Sequence, residues 1–311
     1  MVTLLAHQWD LVEQLGKAFA LGTSSRLRYG TNIFERDWDL LIILDACRTD
    51  VLREFRSSYP MLTDFETIWS VGSATREWAA NTFTAAHRDE IGDTAIVAGN
   101  ATVEHVLNAG GTGIESEFVD RFTGWSVVDS STLGTIDSVW DYGMNDPYGG
   151  TTLPSVVTDR AVSICRAGNF ERYIVHYIPP HIPYRAKALI ENRSLDDHER
   201  DPWTFLRSND SDEPVRSAYR RELGWVLEHV EVLLNNVNAR KVVITADHGE
   251  LFGELGLYAH PAGVPHPNLR RVPWVETTAN DSGIYTPRLS GKRNVSPRLN
   301  TREQLENLGY I

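Results

Sequence analysis

Lysine and cysteine are scarce in this sequence, and long apolar runs are missing from it. Only four of the 30 basic residues are lysines, and 42 acidic residues bring the net charge to −12. A nucleic-acid-binding protein needs an excess of basic side chains to neutralise phosphates, so this composition argues against nucleic acid as a partner. An acidic, lysine-poor chain is typical of a halophilic archaeon, although a GC-rich genome produces the same bias.

The scarcity of cysteine and of apolar runs restricts the cellular compartments in which this protein is expected. Cys47 and Cys165 provide no disulfide framework. No run reaches the length of about 18 apolar residues that a membrane span requires, so no transmembrane segment is expected. The N-terminus carries Asp10 and Glu13 and lacks the basic start and apolar core of a secretory signal. These features predict a cytoplasmic protein, with a helix over 3–20 that packs on its own domain.

Short apolar runs alternate with helical patterns along the chain. The predicted strands are the runs 39–46, 94–100, 172–178 and 241–246, with an edge strand at 272–277. Segment 214–237 repeats apolar residues at spacings of three and four, which builds one apolar helix face, and 158–167 is a second predicted helix. This alternation predicts a three-layer αβα fold with a central, mostly parallel sheet. We expect a single domain over 1–311, with a polar tail from about 286.

Two of the predicted strands end in residues that bind metal ions. Asp45 follows the strand in "LIILDACR", and Asp247 and His248 follow the strand in "VVITADHGE". Ligands of open α/β sheets bind outside the carboxyl ends of the strands, so these distant side chains are expected to meet. Carboxylate and imidazole together suit a transition metal such as Zn or Mn. Taken alone, an aspartate after a strand is more often a turn former or a helix cap.

A small polar segment precedes a predicted helix in "SVGSATREW", residues 70–78. It places the hydroxyls of Ser73 and Thr75 near a helix N-terminus, among free backbone N–H groups. An anionic phosphoryl or sulfuryl group can be held and attacked there. A nearby cation lowers the pKa of such a hydroxyl and makes it a nucleophile. An ordinary helix N-cap remains the alternative interpretation.

Four histidines stand beside prolines. "VHYIPPHIPY" places His176 on a strand and His181 just past its end, and "LYAHPAGVPHP" contains His260 and His266. A single histidine of this kind is usually a satisfied core or surface residue. Four of them fit a second metal ion or contacts to a tetrahedral anion. Arg48, shortly after the first strand, can neutralise the same anion.

In chain order, "ILDACRTD", a Ser/Thr cluster, "HYIPPHIPY", "TADHGE" and "RRVPWV" resemble the alkaline phosphatase superfamily. Within it, the chain is most similar to the sulfatase-like hydrolases and transferases. The resemblance spans about residues 37–277, and the final "LENLGYI" is similar to the ending of sulfatase-like chains. It implies an alkaline-phosphatase-like fold and a metal-dependent ester hydrolase or transferase.

The resemblance also implies a role for each matching residue. Thr75 matches the nucleophile, which also contacts the metal, and Ser73 is the fallback. His181 matches a substrate-binding histidine, and His260 resembles one that contacts substrate or a second metal. Arg48 matches the arginine after the first metal ligand. The metal ligands that the resemblance implies are Asp45, Thr75, Asp247, His248 and His260.

The sequence departs from true sulfatases in three places. It lacks the Cys-x-Pro-x-Arg motif, whose cysteine or serine becomes formylglycine. Ala46 stands where sulfatases have a second aspartate. The pair Asp247–His248 replaces Asp–Asn, and its nitrogen ligand favours Zn or Mn over Ca. These departures favour phosphate esters over sulfate esters.

The resulting prediction is a metal-dependent hydrolase or transferase of phosphate esters with a threonine nucleophile. Two alternatives stay open: a sulfatase-type hydrolase without formylglycine, and an inactive binding protein with the same fold. The expected substrate is a small-molecule ester or an ester linked to a glycan or lipid. The oligomeric state is not predicted.

Overall fold

The computed structural model describes residues 14–27, 29–111, 116–142, 148 and 152–289. Residues 14–24 form the helix α1, and the earlier part of the predicted helix over 3–20 lies outside the described residues. The final "LENLGYI" and most of the predicted polar tail lie outside them as well. No helix in the described part of the chain has the length and apolar character of a membrane span.

Seven strands form the main sheet, and two short strands form a hairpin. The strands are β1 (Leu40–Leu44), β2 (Asp64–Trp69), β3 (Thr94–Ala98), β4 (Thr135–Ser138), β5 (Arg172–Tyr177), β6 (Ala239–Thr245), β7 (Leu251–Phe252), β8 (Tyr258–Ala259) and β9 (Arg271–Ala279). The order in the main sheet is β2-β9-β6-β1-β5-β3-β4, and β7 pairs with β8. Five neighbouring strands, from β6 to β4, run parallel, and β9 is antiparallel to both of its neighbours.

Helices cover both faces of this sheet. After α1 they are α2 (Thr49–Glu54), α3 (Thr75–Thr82), α4 (Arg88–Gly92), α5 (Thr102–Asn108), α6 (Glu117–Asp120), α7 (Pro154–Ala167), α8 (Ala186–Glu191), α9 (Asp197–Arg200), α10 (Pro202–Ser208), α11 (Glu213–Leu234) and α12 (Pro267–Arg270). Helix α7 packs against α11, and α3 packs against α5. The prediction of a three-layer αβα fold with a mostly parallel sheet is therefore confirmed.

Strand β1 lies at the centre of the molecule. All five of its residues are buried, and it pairs with β5 on one side and β6 on the other. Full burial on both faces explains the uninterrupted apolar run "LLIIL". The carboxyl ends of β1, β5 and β6 consequently open at one edge of the sheet, which is where the predicted site residues follow their strands.

Two details differ from the sequence-based prediction. The predicted edge strand at 272–277 is β9, which pairs with both β2 and β6 and is not an edge strand. Proline cannot donate to a ladder and is typical of edge strands, yet Pro273 lies inside β9. The true edge strand beside it, β2, was not predicted because most of its residues are at least partly exposed and their sequence, "DFETIW", is largely polar.

Candidate active site and metal centre

The side chains of Asp45, Asp247 and His248 meet at the ends of neighbouring strands. Asp45 directly follows β1, and β6 ends two residues before Asp247. Nε2 of His248 lies 3.5 Å from Oδ1 of Asp45 and 3.4 Å from Oδ2 of Asp247. One donor atom from each residue lies within 4.8 Å of the other two, and all three residues are buried. The structure thus brings together residues that are some 200 positions apart in sequence.

Thr75 joins this group of side chains from the first position of α3. Its Oγ1 lies 3.1 Å from Nε2 of His248, and the residue is fully buried. The preceding segment folds tightly onto the first turn of α3, since a Cβ on Gly72 would lie 2.3 Å from the backbone nitrogen of Trp78. Ser70 donates a hydrogen bond from its hydroxyl to the backbone carbonyl of Asp247. These contacts fix the hydroxyl of Thr75 beside the donor group.

Ser73 has a different environment. Its Oγ lies 2.9 Å from Oε2 of Glu77 and 2.9 Å from the backbone oxygen of Pro261, and it accepts a hydrogen bond from the N–H of Val264. These contacts tie the segment before α3 to the loop after β8. The hydroxyl of Ser73 is therefore held by a structural network, whereas the hydroxyl of Thr75 contacts His248.

The spacing of the donor atoms fits a divalent transition metal. Two ligands bonded at about 2.0–2.1 Å in tetrahedral geometry lie about 3.3–3.4 Å apart. The distances from Nε2 of His248 to Thr75, Asp247 and Asp45 are 3.1, 3.4 and 3.5 Å. Oδ2 of Asp247 is buried and has no hydrogen-bond donor among the described residues, although a buried carboxylate oxygen needs a donor or a cation.

The orientation of His248 also suits a metal ligand. Its Nδ1–H donates to the carbonyl of Gly249 at 2.8 Å, which directs Nε2 toward the carboxylates. Gly249 is required at this position because a Cβ would lie 1.9 Å from the backbone oxygen of Asn268. Oδ1 of Asp247 accepts hydrogen bonds from the N–H groups of Ala46 and His248, so these bonds hold only one of the two carboxylate oxygens.

Asp45 lies in an electropositive environment despite its burial. Burial raises the pKa of its carboxyl, but the approach of His176 and the charges of His181 and His248 outweigh burial and hold the pKa below its usual range. Asn100, which follows β3, donates from Nδ2 to Oδ2 of Asp45 at 2.9 Å. Asp45 is therefore ionised at neutral pH, as a metal ligand has to be.

Three further histidines surround the donor group. His176 on β5 is buried, and its Nε2 lies 3.6 Å from Oδ2 of Asp45. The ring of His260 lies 4.5 Å from that of His248 and 5.0 Å from that of His181, measured between centroids. Nδ1 of His181 donates to the carbonyl of Ile182 at 2.8 Å. The structure therefore brings His181 and His260 to the same side of the predicted metal ligands.

The fourth predicted histidine has another role, and His260 has a strong acidic partner. His266 caps α12, since its Nδ1 accepts a hydrogen bond from the N–H of Asn268 at 3.1 Å. Nδ1 of His260 lies 3.1 and 3.2 Å from the two carboxylate oxygens of Glu250. Burial lowers the pKa of His260, but the nearby Glu250 carboxylate outweighs burial and raises it.

Arg48 lies away from the donor atoms, in a group of salt bridges. Its Nε and Nη2 donate to the two oxygens of Asp50 at 2.9 and 2.7 Å, and its Nη1 donates to Oε1 of Glu254 at 2.5 Å. Nη1 also donates to the backbone carbonyl of Glu250 at 3.2 Å. Two carboxylates therefore neutralise the guanidinium, and its role as an anion-binding residue stays a prediction that these contacts do not support.

Sequence reasoning missed several residues that position the site. Tyr219 on α11 was interpreted only as part of an apolar helix face, yet its hydroxyl donates to the carbonyl of Ala46 and accepts the N–H of Arg48. Ala46 has a φ of 59°, which is unusual for a residue with a Cβ. Glu77 and Asn100 carried no signal beyond their polarity inside a predicted helix and at a strand end.

Comparison with known proteins gives a fold. No protein-family model matches the chain, and no curated protein is similar to it in sequence. The soluble domain of lipooligosaccharide phosphoethanolamine transferase A from Neisseria meningitidis has a similar structure, with a TM-score of 0.51 and 12% identity over 78% of this chain and 76% of that chain. The chain has an alkaline-phosphatase-like α/β fold. At this identity the likeness establishes the fold, and the activity has to be argued from the site.

Two more distant likenesses have lower TM-scores. The C-terminal periplasmic domain of phosphoethanolamine transferase EptC from Campylobacter jejuni gives 0.46, with 14% identity over 77% of this chain and 78% of that chain. The lipoteichoic acid synthase LtaP from Listeria monocytogenes gives 0.40, with 12% identity over 82% of this chain and 66% of that chain.

Proposed function

We propose that this protein is a metal-dependent enzyme that hydrolyses or transfers phosphate esters through a covalent intermediate on Thr75. One observation carries the proposal: the Thr75 hydroxyl lies 3.1 Å from Nε2 of His248, which in turn lies within 3.5 Å of the carboxylates of Asp45 and Asp247. A nucleophile beside a ready set of metal-binding atoms is the arrangement that phosphoryl transfer requires.

Asp45, Thr75, Asp247 and His248 would hold the cation. A bound divalent ion, for which we favour Zn or Mn over Ca because of the imidazole ligand, supplies positive charge that lowers the pKa of the hydroxyl and stabilises the transition state. His260 is not among the three grouped donor residues, and Glu250 holds its Nδ1. We therefore assign His260 to the substrate and not to this cation.

The chemistry on the chain proceeds in two steps. Oγ1 of Thr75 gives its proton to a water molecule and attacks phosphorus in line, while the bond from phosphorus to the leaving oxygen breaks. The leaving oxygen takes a proton from Nε2 of His260, because Glu250 occupies Nδ1 and its carboxylate raises the pKa of the ring, which favours the protonated form. A water or an acceptor alcohol then gives a proton to His260 and attacks the phosphothreonine. The bond from phosphorus to Oγ1 breaks, and Thr75 takes a proton back from water.

The exposure of the side chains indicates the side from which a substrate approaches. Thr75, Asp247 and His248 are fully buried, whereas 13% of the His260 side chain is exposed. His260 is thus the member of the site that meets solvent. A substrate reaches Thr75 past the rings of His260 and His181, which are placed to contact the oxygens of a phosphoryl group.

Phosphate is favoured over sulfate by the nucleophile. Sulfatases of this fold act through a formylglycine made from cysteine or serine, and neither cysteine here is placed for that role. Cys47 is fully buried, and burial raises the pKa of its thiol well above the usual range. Cys165 lies on α7, where burial raises the thiol pKa to about 12. The serine of the segment, Ser73, is bound to Glu77 and Pro261, so the hydroxyl beside the donor group is that of Thr75.

The test compares two threonines of the same helix. Thr75 and Thr82 are both fully buried on α3, and Thr→Val keeps the shape of either side chain. The purified protein, loaded with Zn²⁺ or Mn²⁺, is assayed on an aryl phosphate, a diaryl phosphate and an aryl sulfate. Loss of a catalytic nucleophile costs roughly 10⁴-fold or more in kcat. We expect that loss for Thr75→Val, a minor effect for Thr82→Val, and phosphate turnover well above sulfate turnover.

Trapping identifies the intermediate. Acid quenching during turnover, followed by peptide mass spectrometry, should show one added phosphoryl group on the peptide that contains Thr75. Ser73→Ala should keep the label on Thr75. Activity that survives Thr75→Val and disappears in Ser73→Ala would show that the nucleophile assignment is wrong.

A further inference from the structure

Arg48 joins the loop after β1 to the hairpin that leads into His260. Its guanidinium donates to the backbone carbonyl of Glu250, just before β7, and to the side chain of Glu254, in the turn between β7 and β8. We propose that Arg48 and Glu254 form a positioning clamp that holds the β7–β8 hairpin, and with it His260, against the metal-ligand group. The catalytic consequence of this clamp rests on the function proposed above.

The path from the clamp to His260 is short. Leu251 on β7 pairs with Ala259 on β8, and His260 is the next residue. Oε2 of Glu254 accepts the N–H of Phe252 at 2.6 Å, so the same carboxylate that binds Arg48 also closes the hairpin turn. A displacement of Glu254 would therefore move both strands of the hairpin and the imidazole that follows them.

The hairpin contains backbone conformations that need outside support. Leu255 and Ala259 have φ angles of 54° and 61°, in the left-handed region that residues with a Cβ rarely adopt. Such conformations persist when the surrounding structure holds them in place. Leu255 itself is 87% exposed and receives little support from packing. Glu254, which also accepts a hydrogen bond from Nδ2 of Asn268 at 3.0 Å, supplies that support from the preceding position.

The clamp is rigid at the Arg48 end as well. Arg48 is buried, and its Nε and Nη2 donate to the two oxygens of Asp50. Its guanidinium lies 5.3 Å from the ring centre of Phe252. Its backbone N–H donates to the hydroxyl of Tyr219 at 2.8 Å. A planar fork with five donors satisfies these partners together, which a lysine ammonium cannot do. Arg48 is thus a positioning residue, in contrast to the anion-neutralising role that its place in the sequence suggested.

The experiment uses Glu254→Ala and Glu254→Gln in the full chain, with Asp281→Asn as a matched control. Asp281 forms a salt bridge with Arg166, as Glu254 does with Arg48, and it lies outside the site. Three quantities are measured for each variant: kcat and KM on the aryl phosphate, the Kd for Zn²⁺ by competition with a chromophoric chelator, and amide hydrogen exchange. The exchange of peptides from 250–260 is compared with that of peptides from β1 and β6.

A displacement of about 1 Å in a catalytic group costs up to about 100-fold in rate. For Glu254→Ala we expect kcat to fall about 10- to 100-fold, with KM and the Kd for Zn²⁺ close to the parent values. Exchange should become faster in 250–260 and stay unchanged in β1 and β6. Glu254→Gln should lie between Glu254→Ala and the parent, because its amide oxygen can still accept hydrogen bonds at one of the two carboxylate oxygen positions. Asp281→Asn should match the parent.

Two results would overturn the clamp. One is hydrogen exchange in 250–260 that Glu254→Ala leaves unchanged. The other is a loss of Zn²⁺ affinity and of protection in β1 and β6 alongside the hairpin, which would mark a general structural role. If the parent protein turns over none of the esters, the proposed function fails, and the exchange and Zn²⁺ measurements still decide whether Glu254 holds the hairpin.

Discussion

Replacing Glu77 by glutamine should destabilise the protein strongly and disturb the nucleophile segment. The carboxylate is fully buried on α3, where Oε1 accepts from Ser24 and from Arg270. Oε2 accepts the N–H and hydroxyl of Ser73 and the N–H of Gly263, at 2.9, 2.9 and 3.0 Å. This one side chain therefore joins the segment before Thr75 to the loop after His260.

The size of the expected loss of stability follows from the buried groups that would lose their partner. Glutamine keeps the shape but has one acceptor oxygen, so its NH₂ group would face donors that the carboxylate now satisfies. The guanidinium of Arg270, which is also buried, would lose its counter-charge. Removing one partner of a buried ion pair costs about 3–5 kcal/mol, because the other charge stays buried without compensation. That is a large share of the roughly 5–15 kcal/mol by which a typical domain is stable.

The effect should also depend on pH with a defined sign. Burial raises the pKa of Glu77, but the charge of Arg270 and the hydrogen bonds from Ser24, Ser73 and Gly263 outweigh burial and lower it. A carboxyl whose pKa is lower in the folded state stabilises the protein above its unfolded-state pKa of about 4.3 and loses that contribution as pH falls through the folded-state pKa.

Urea unfolding of the metal-free protein, followed by circular dichroism, tests this reasoning. We expect Glu77→Gln to lower the free energy of unfolding by about 3–5 kcal/mol at pH 7, and the gap to the parent to shrink below about pH 4. Glu66→Gln is the control, since Glu66 is exposed and lies 3.8 Å from Arg36, in a pair worth about 0–1 kcal/mol. A gap as small as that of the control at pH 7, or one that grows on acidification, would refute the argument.

Two further predictions concern the strand ends. Gly249→Ala should lower both stability and activity, because its Cβ would lie 1.9 Å from the backbone oxygen of Asn268 and overpacking costs about 1–3 kcal/mol or more. Urea unfolding should show this loss of stability. The control Gly16→Ala, which has open space around it, should show no such loss. Tyr219→Phe removes a hydroxyl that bonds to two buried backbone groups, so it should lower the free energy of unfolding by about 1–3 kcal/mol and weaken Zn²⁺ binding. Tyr173→Phe is the control, and equal Zn²⁺ affinity in both variants would contradict the prediction.

The sheet and the metal-ligand group were accessible from sequence because both depend on strand patterns. Buried parallel strands appear as apolar runs, and the residues after them lie at one edge of the sheet whatever the intervening chain does. Asp45, Asp247 and His248 could be grouped on that ground alone. Strand β2 could not be found, because its exposed, polar residues resemble a loop. Strand β4 is only four residues long, too short for a periodic pattern.

Side-chain direction was the part that sequence could not provide. Ser73 and Thr75 are two residues apart with similar chemistry, and only the fold of the segment before α3 directs one hydroxyl to Glu77 and the other to His248. Arg48 likewise follows a metal ligand closely, yet its guanidinium is drawn to Asp50 and Glu254. No periodic pattern encodes such choices, since they depend on contacts between residues far apart in the chain.

The loop after β1 therefore serves two sides of the site at once. Asp45 lies beside His248 in the candidate metal site. Three positions later, Arg48 binds Glu254 in the hairpin that leads to His260. Between them, Ala46 takes a left-handed backbone conformation, and Tyr219 bonds to both the Ala46 carbonyl and the Arg48 N–H. A change in this turn should therefore disturb both the candidate metal ligands and the position of His260.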